Sequence, residues 1–575
     1  MDRTLRANFD RWLAHPLSDP DLAGELRAIQ SDEKTITDCF YRELEFGTGG
    51  LRGVIGAGTN RMNVHTVAKA TQGFSNYLNH HFESPSVAIA YDSRIKSELF
   101  ARTAAGVFAA NGVRVFLYAE LMPTPALSFA VRSHSCSGGI VITASHNPAR
   151  YNGYKVYGAD GCQITTRAAK EIQAKIQTVD IFGDVKRTPF ENAVADGWIT
   201  FIGEKTVQAY LDAVSFQSLC GSEVIDRKLS IVYTPLNGAG LKCVINCLRQ
   251  NGFTNLHVVA EQEKPDGNFP TCPYPNPEIR EALSLGLRDA KRLGSDLLLA
   301  TDPDCDRVGI AVKKGSEYNL LTGNEVGLLL FEYICKRRTA LHRMPDRPIV
   351  VKTIVTTDLV KKIADDYGVE VIEVLTGFKF IGEQIGLLEQ TQETERYLFG
   401  FEESYGYLSG AYVRDKDGVN GALLICEMAA YYKAQGKSLT MILEELYKRY
   451  GYCLNTLHSY EFEGAEGFQQ MEKIMKAFRE SGPEEISGKR VLAVSDYQES
   501  KRRCLGGTEE CLYLPKSNVL KYELEGDCSV TVRPSGTEPK LKLYFSVQDV
   551  KEEHTRQIEE SLVSEMERYL TRSNE

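Results

Sequence analysis

Between residues 86 and 406 the chain repeats one rhythm three times: short β-rich runs alternate with helical periodicity and end in polar or glycine-bearing loops. The first set is "SVAIAYDSR" (Ser86–Arg94), "VRVFLYAE" (Val113–Glu120) and "GGIVITASH" (Gly138–His146). The second is "LSIVYTPLNGAG" (Leu229–Gly240), "LHVVAE" (Leu256–Glu261) and "DLLLATDPDCDR" (Asp296–Arg307). The third is "PIVVKTIVTT" (Pro348–Thr357), "VEVIEVLTGFKFIG" (Val369–Gly382) and "YLFGFEESYG" (Tyr397–Gly406). Apolar strands alternating with helices are covered on both faces, which predicts α/β units built on mixed, mostly parallel sheets. Such sheets bind ligands beyond the carboxyl ends of their strands, so each unit is expected to present one loop to a ligand.

The last region breaks the rhythm. "SVTVRPSGTEPKLKLYFSV" (Ser529–Val547) alternates on both sides of a Pro-Ser-Gly turn, which predicts two antiparallel strands in a smaller α+β domain. At roughly 150 residues per domain, 575 residues suit about four domains. The expected divisions are 1–205, 206–322, 323–450 and 451–575. Residues 1 to about 40 carry helical periodicity, and the glycine cluster "FGTGGLRGVIGAGTNRMN" (Phe46–Asn63) predicts an irregular loop.

A net charge of -10 argues against nucleic acid or an anionic membrane as the main partner, while a local basic pocket for an anionic substrate stays open. The N-terminal stretch has no signal-type apolar core, and "VGLLLFEYIC" (Val326–Cys335) is too short to span a bilayer. The 14 cysteines fall singly with no CxxC pair, as expected of a cytoplasmic protein with reduced thiols.

Four loops carry the chemistry. In "TDPDCDR", Asp302, Asp304 and Asp306 are spaced by two, which in an extended segment aims three carboxylates one way. Like charges so placed repel unless a cation sits among them, and oxygen-only ligands favour Mg²⁺ or Ca²⁺ over zinc. A solvated acidic loop is the plain alternative, weakened because Leu297–Leu299 lead straight into it. Ser145, in "VITASHNP", lacks the glycines of a nucleophile elbow, and an extended chain would turn His146 away from it. A hydrolytic serine is thus the weaker functional reading; a phosphoryl-carrying Ser145 would supply an oxygen to the aspartate metal. In "RPSGTEPK", Arg533 can fork onto a phosphate, with the hydroxyls of Ser535 and Thr537 and the backbone around Gly536 completing an anion nest. Glu402 and Glu403 beside Ser404 suit the hydroxyls of a sugar ring.

The stretches "TASHNP", "DPDCDR", "GFEESYG" and "RPSGTEP", in that order and joined by "GTGGLRG" and "NGYK", closely resemble the α-D-phosphohexomutase superfamily from about Phe46 to Val547. The resemblance implies four domains around a central cleft. It implies a phosphorylated Ser145 that also ligates Mg²⁺ with Asp302, Asp304 and Asp306. Arg307 resembles the arginine beside the phosphoserine. Arg52 and Lys155 resemble active-site cations, Lys155 as a candidate acid or base. Thr376, Gly377 and Lys379 fall in "TGFKFIG", similar to the loop that senses sugar orientation. Glu402 and Ser404 resemble sugar-hydroxyl binders, and Lys416 a phosphosugar contact. Arg533, Ser535, Gly536 and Thr537 resemble the site for the phosphate not being transferred.

The implied reaction interconverts α-D-glucose 1-phosphate and glucose 6-phosphate through a phosphoserine enzyme, with glucose 1,6-bisphosphate as intermediate and activator. The expected partner is a small phosphosugar, with neither nucleic acid nor membrane, and the expected state a monomer or weak homodimer. Cys305 departs from the family's small residue there, and its oxidation is expected to disturb the loop. Phosphopentomutase and phosphomannomutase activities use the same parts. A sugar-phosphate-binding regulator and a metal phosphatase are the alternatives from other classes; the first has no need of Ser145 and Lys155, the second predicts free phosphate.

Overall fold

A computed structural model describes residues 3–17, 19–47, 49–221, 225–462, 464–535 and 540–572. Three α/β units precede an antiparallel C-terminal domain, as the rhythm predicts. In the first, strands run in the order Gly50–Val54, Tyr151–Gly158, Gly138–Ile142, Ser86–Tyr91, Arg114–Tyr118 and Ile199–Ile202. The last four of these are parallel to one another, and Tyr151–Gly158 is antiparallel to Gly138–Ile142. In the second unit, Leu256–Val258, Ile231–Thr234 and Leu297–Thr301 are parallel, and Val308–Lys314 returns antiparallel. In the third, Glu370–Val374, Ile349–Thr353 and Tyr397–Glu402 are parallel, and Gly406–Leu408 returns antiparallel.

The three units thus share one device. The parallel strand Gly138–Ile142, Leu297–Thr301 or Tyr397–Glu402 turns into an antiparallel neighbour, and the turn holds Ser145, the aspartate trio or Glu403–Tyr405 respectively. Each turn contains one non-glycine residue in the left-handed region: Ser145 (φ 51°), Cys305 (φ 52°) and Tyr405 (φ 65°). That conformation costs about 1–2 kcal/mol for an L-residue, so the surrounding hydrogen bonds must hold it.

The glycine cluster departs from expectation. Gly50–Val54 is a strand antiparallel to Tyr151–Gly158, placing Arg52 opposite Gly153 and Gly50 opposite Lys155. Glycine density signals a loop in most contexts, but here it permits close strand approach. Gly50 has φ 148°, and a Cβ there would lie 1.9 Å from the Tyr154 carbonyl oxygen.

The C-terminal sheet is antiparallel throughout, in the order Tyr452–Glu461, Lys540–Asp549, Cys528–Pro534, Leu520–Leu524, Lys489–Asp496, Lys501–Cys504 and Glu509–Cys511. One face of the first unit and the C-terminal domain have their own cores, while the other face of the first unit, with Ala88, Tyr118, Leu127 and Val141, packs into the core of the second and third. The second and third share one, threaded by the helix Gly418–Ala434, which is buried on all sides and accordingly apolar all round. Among the described residues no helix is long and apolar enough to cross a membrane.

Candidate active site

Ser145 lies against the aspartate loop: its Oγ donates to Asp302 Oδ2 at 2.7 Å, across 157 residues of sequence. Its left-handed backbone is fixed locally. Thr143 Oγ1 accepts from the Ser145 N–H at 2.8 Å and donates to Asp92 Oδ2 at 2.6 Å. The Arg94 guanidinium gathers the carbonyls of Ser145, Asn147, Pro148 and Tyr151, and Asp92 balances its charge from 3.4 Å. Asp92 and Arg94 carry no motif, and sequence reasoning missed them. The positive φ also corrects the expectation for His146. Because Ser145 is not extended, the His146 ring turns back and Nδ1 sits 3.2 Å from Ser145 Oγ. Burial, then Arg307 and Arg52, hold that imidazole well below its usual pKa, hence neutral.

The three aspartates are fully buried and each offers an oxygen within 4.8 Å of the others. They converge through a tight turn, with Cys305 left-handed, and not through an extended segment. Asp302 Oδ1 accepts the N–H groups of Asp306 and Arg307, each at 3.0 Å. Thr124 Oγ1 and Lys155 Nζ reach Asp304 Oδ2 at 3.0 and 2.9 Å, and Lys416 Nζ reaches Asp306 Oδ2 at 2.8 Å. Asp304 Oδ1 and Asp306 Oδ1 are buried without a hydrogen-bond partner among the described residues. Two orphaned carboxylate oxygens in a dry pocket fit a hard divalent cation. Burial, then repulsion from Asp304 and Asp306, raises Asp302 far above the carboxylate range. Burial pushes Asp304 the same way, but Lys155 and Lys416 outweigh it and hold its carboxyl low. Cys305 is fully buried and burial pushes its thiol up, which disfavours the reactive thiolate there.

Lys155 is half-buried, and desolvation lowers its pKa, yet Asp304 and Asp306 raise it overall, so it stands as an ammonium. Lys416, predicted as a phosphosugar contact, is likewise paired with Asp306. Arg307 Nη1 is 2.5 Å from Glu278 Oε1, a partner the sequence did not suggest. Arg52 Nη1 donates to Asn147 Oδ1 at 3.3 Å, on the Ser145 loop. In the sugar loop, Glu402 Oε1 accepts from the Gly377 N–H at 2.9 Å, joining "GFEESYG" to "TGFKFIG". Thr376 Oγ1 is buried without a partner among the described residues, and burial lowers the Lys379 amine. Ser404 is half-buried at the turn.

From the C-terminal sheet, Arg533 and its cross-strand neighbour Lys542 approach the same space. Both act on Glu403, and Lys542 also feels Arg307. Lys542 was not singled out by sequence, where one lysine in an alternating strand carries no signal. Ser535 N–H donates to the Lys540 carbonyl at 2.7 Å, closing the strand end. Gly536 and Thr537 lie outside the described residues.

Comparison with known proteins follows the same four-part division. Residues 43–181, 208–315 and 322–450 match alpha/beta/alpha domains I, II and III of the phosphoglucomutase/phosphomannomutase family, and 463–563 match its C-terminal domain. A phosphoglucomutase of Staphylococcus aureus (strain COL) is 38% identical over 554 residues, covering 94% of this chain and 96% of its own. That of Staphylococcus haemolyticus is 37% identical over 515 residues, covering 88% and 91%. Among solved structures, a putative phosphomannomutase from Thermus thermophilus superposes with TM-score 0.67 at 23% identity, covering 92% of this chain and 99% of that one. The open form of pp63/parafusin from Paramecium gives 0.66 at 17% identity, covering 93% and 95%. These two likenesses establish a shared fold.

Proposed function

The chain belongs to the phosphoglucomutase/phosphomannomutase family, and on that premise we propose that it interconverts α-D-glucose 1-phosphate and glucose 6-phosphate through a phosphorylated Ser145. The observation that carries this reading is Ser145 Oγ seated on Asp302 while the charges of Arg533 and Lys542, on a separate sheet, act on Glu403. A phosphatase needs only the first of these positions; a mutase acting on a bisphosphate needs both. We take the four domains as 1–205, 206–322, 323–450 and 451–575.

Asp302, Asp304, Asp306 and phosphorylated Ser145 would hold Mg²⁺, which supplies charge neutralisation for the transferring phosphoryl group. The phosphoryl group leaves Ser145 Oγ for a hydroxyl oxygen of glucose 1-phosphate: that P–O bond breaks, the sugar P–O bond forms, and the hydroxyl proton passes to a nearby acceptor. Arg307 gives up Glu278 to bind phosphoryl oxygens, where most of the catalysis of such transfers lies. Neutral His146 stands beside the serine oxygen as a hydrogen-bond partner; Lys155, held as an ammonium, is placed as a cation or an acid. Glu402 and Ser404 take sugar hydroxyls, Thr376, Gly377 and Lys379 read the ring's orientation, and Lys416 and Arg52 complete the cationic wall. Arg533, Ser535, Gly536 and Thr537 hold the other phosphate. The bisphosphate then turns end for end, and its second phosphoryl group returns to Ser145, leaving glucose 6-phosphate. Water competes for the same group, and holding the sugar in line favours the sugar by roughly 7–11 kcal/mol.

Turnover of glucose, mannose and ribose 1-phosphates, each with its bisphosphate, tests the reading. Glucose 1-phosphate is expected to give the highest kcat/KM. A preference for ribose or mannose would reassign the substrate within the same chemistry, and release of free phosphate alone would reject the mutase.

A further inference from the structure

The loop Thr353–Asp358 joins the strand Ile349–Thr353 to the helix Leu359–Tyr367. It carries no motif, and the reaction above leaves it without a task. Three of its surfaces are nonetheless engaged. Ile354 and Val355 pack with Tyr497, Val519 and Tyr544 of the C-terminal domain, in a cluster that also holds Leu375, just before the sugar-orientation loop, and Phe380, within it. The hydroxyls of Thr353 and Thr356 lie 2.8 Å apart, and each lies 3.4 Å from Glu403 Oε2, the carboxylate that Arg533 and Lys542 act upon.

The third surface is a charge cluster, buried at Lys352 and Lys521, half-buried at Asp358 and Glu373 and open to solvent at Lys361. Fully buried Lys352 reaches Asp358 Oδ1 at 3.0 Å and Glu373 Oε1 at 2.8 Å, and Lys361 reaches the same oxygens at 2.9 and 3.2 Å. Lys521, on the C-terminal strand Leu520–Leu524, adds a contact of 3.5 Å to Asp358 Oδ2 and donates to the Ile354 carbonyl at 3.3 Å. Three lysines therefore meet two carboxylates. Lys352 and Lys361 already balance Asp358 and Glu373; the surplus cation is the one contributed by the C-terminal domain. Withdrawal of that domain would leave a neutral cluster, avoiding the large cost of a buried unpaired charge, and its return adds an attraction without being needed for folding.

We propose that this loop couples the seating of the C-terminal domain to the sugar loop, with Lys521 as a positioning residue that keeps Glu403 beside Arg533 and Lys542 while the bisphosphate turns. The inference rests on the mutase reading. It predicts that weakening the contact lets the bisphosphate escape between its two transfers without impairing either transfer.

The full-length protein and its Lys521→Met, Lys521→Arg and Thr356→Val variants decide it, assayed for glucose 1,6-bisphosphate released per glucose 6-phosphate formed, for KM, and for kcat at saturating bisphosphate. Lys521→Met is expected to raise release and KM by about tenfold, the weight of one charge-assisted contact. Its kcat should stay within about twofold, the signature of binding lost apart from chemistry. Lys521→Arg should restore wild-type retention. Thr356→Val, which cuts the link at its sugar-loop end, should leak in the same way. Wild-type release and KM in Lys521→Met, equal impairment in Met and Arg, or no leak in Thr356→Val would each overturn the coupling while the mutase reading stands. Failure of the wild-type protein to turn over glucose 1-phosphate would instead remove the reading itself.

Discussion

At the residue scale, the backbone of Ser145 decides what its side chain can meet. A left-handed φ of 51° brings Oγ to Asp302 and turns His146 back toward it. Sequence shows serine beside histidine, but a positive φ at a residue other than glycine leaves no mark in composition or period. The neighbour relations of His146, and the Asp92–Arg94 support beneath the loop, were therefore illegible. Glu402 offers a quantitative test of the electrostatics. Burial pushes its carboxyl up to about 7 from 4.5, with Glu403 adding and Lys416 and Arg307 opposing. The folded protein thus binds this proton more tightly than the unfolded chain does. The stability it contributes is full below the unfolded value and is lost as pH rises through about 7. Urea unfolding of wild type and Glu402→Gln from about pH 5 to about pH 8 compares the protein with and without this carboxyl. The wild-type midpoint should fall relative to the variant over that range; parallel curves would contradict the assignment.

At the element scale, one turn from a parallel strand into an antiparallel one is used three times, and each use delivers a different chemical load. The strands themselves were legible as apolar runs, since burial on both faces enforces them. The convergence of the aspartates was also expected, though for another reason: their spacing of two suggested an extended segment, whereas a tight turn around Cys305 assembles them. The strand Gly50–Val54 was hidden because glycine density usually means a loop. Its flush approach to Tyr154 makes a clear prediction. Gly50→Ala places a Cβ 1.9 Å from the Tyr154 carbonyl oxygen and should cost about 3 kcal/mol while displacing Arg52. Gly112→Ala, also at positive φ but with open space around it, should cost only about 1–2 kcal/mol and leave turnover intact. Equal losses at the two positions in thermal melting would show that the strand tolerates the intrusion.

At the scale of the whole molecule, the cleft is an arrangement of opposite charges drawn from all four domains: Arg52 and Lys155 from the first, the aspartates and Arg307 from the second, Glu402 and Lys416 from the third, Arg533 and Lys542 from the fourth. Three of the motifs end strands of a repeated unit, which is why their loops were expected beyond the carboxyl ends of the sheets. Motif order did not foretell Glu278 on Arg307 or Lys542 beside Arg533, which lie in segments without a pattern. The central claim is that Ser145 carries a phosphoryl group between two positions of one sugar. Incubation with glucose 1,6-bisphosphate labelled in its phosphates, followed by a chase of unlabelled glucose 1-phosphate, tests this most directly. The account predicts label on Ser145, its passage into glucose bisphosphate and glucose 6-phosphate during the chase, and no labelling of Ser145→Ala. Label that appears only as inorganic phosphate, or that settles on Ser145→Ala as readily as on the wild type, would contradict it.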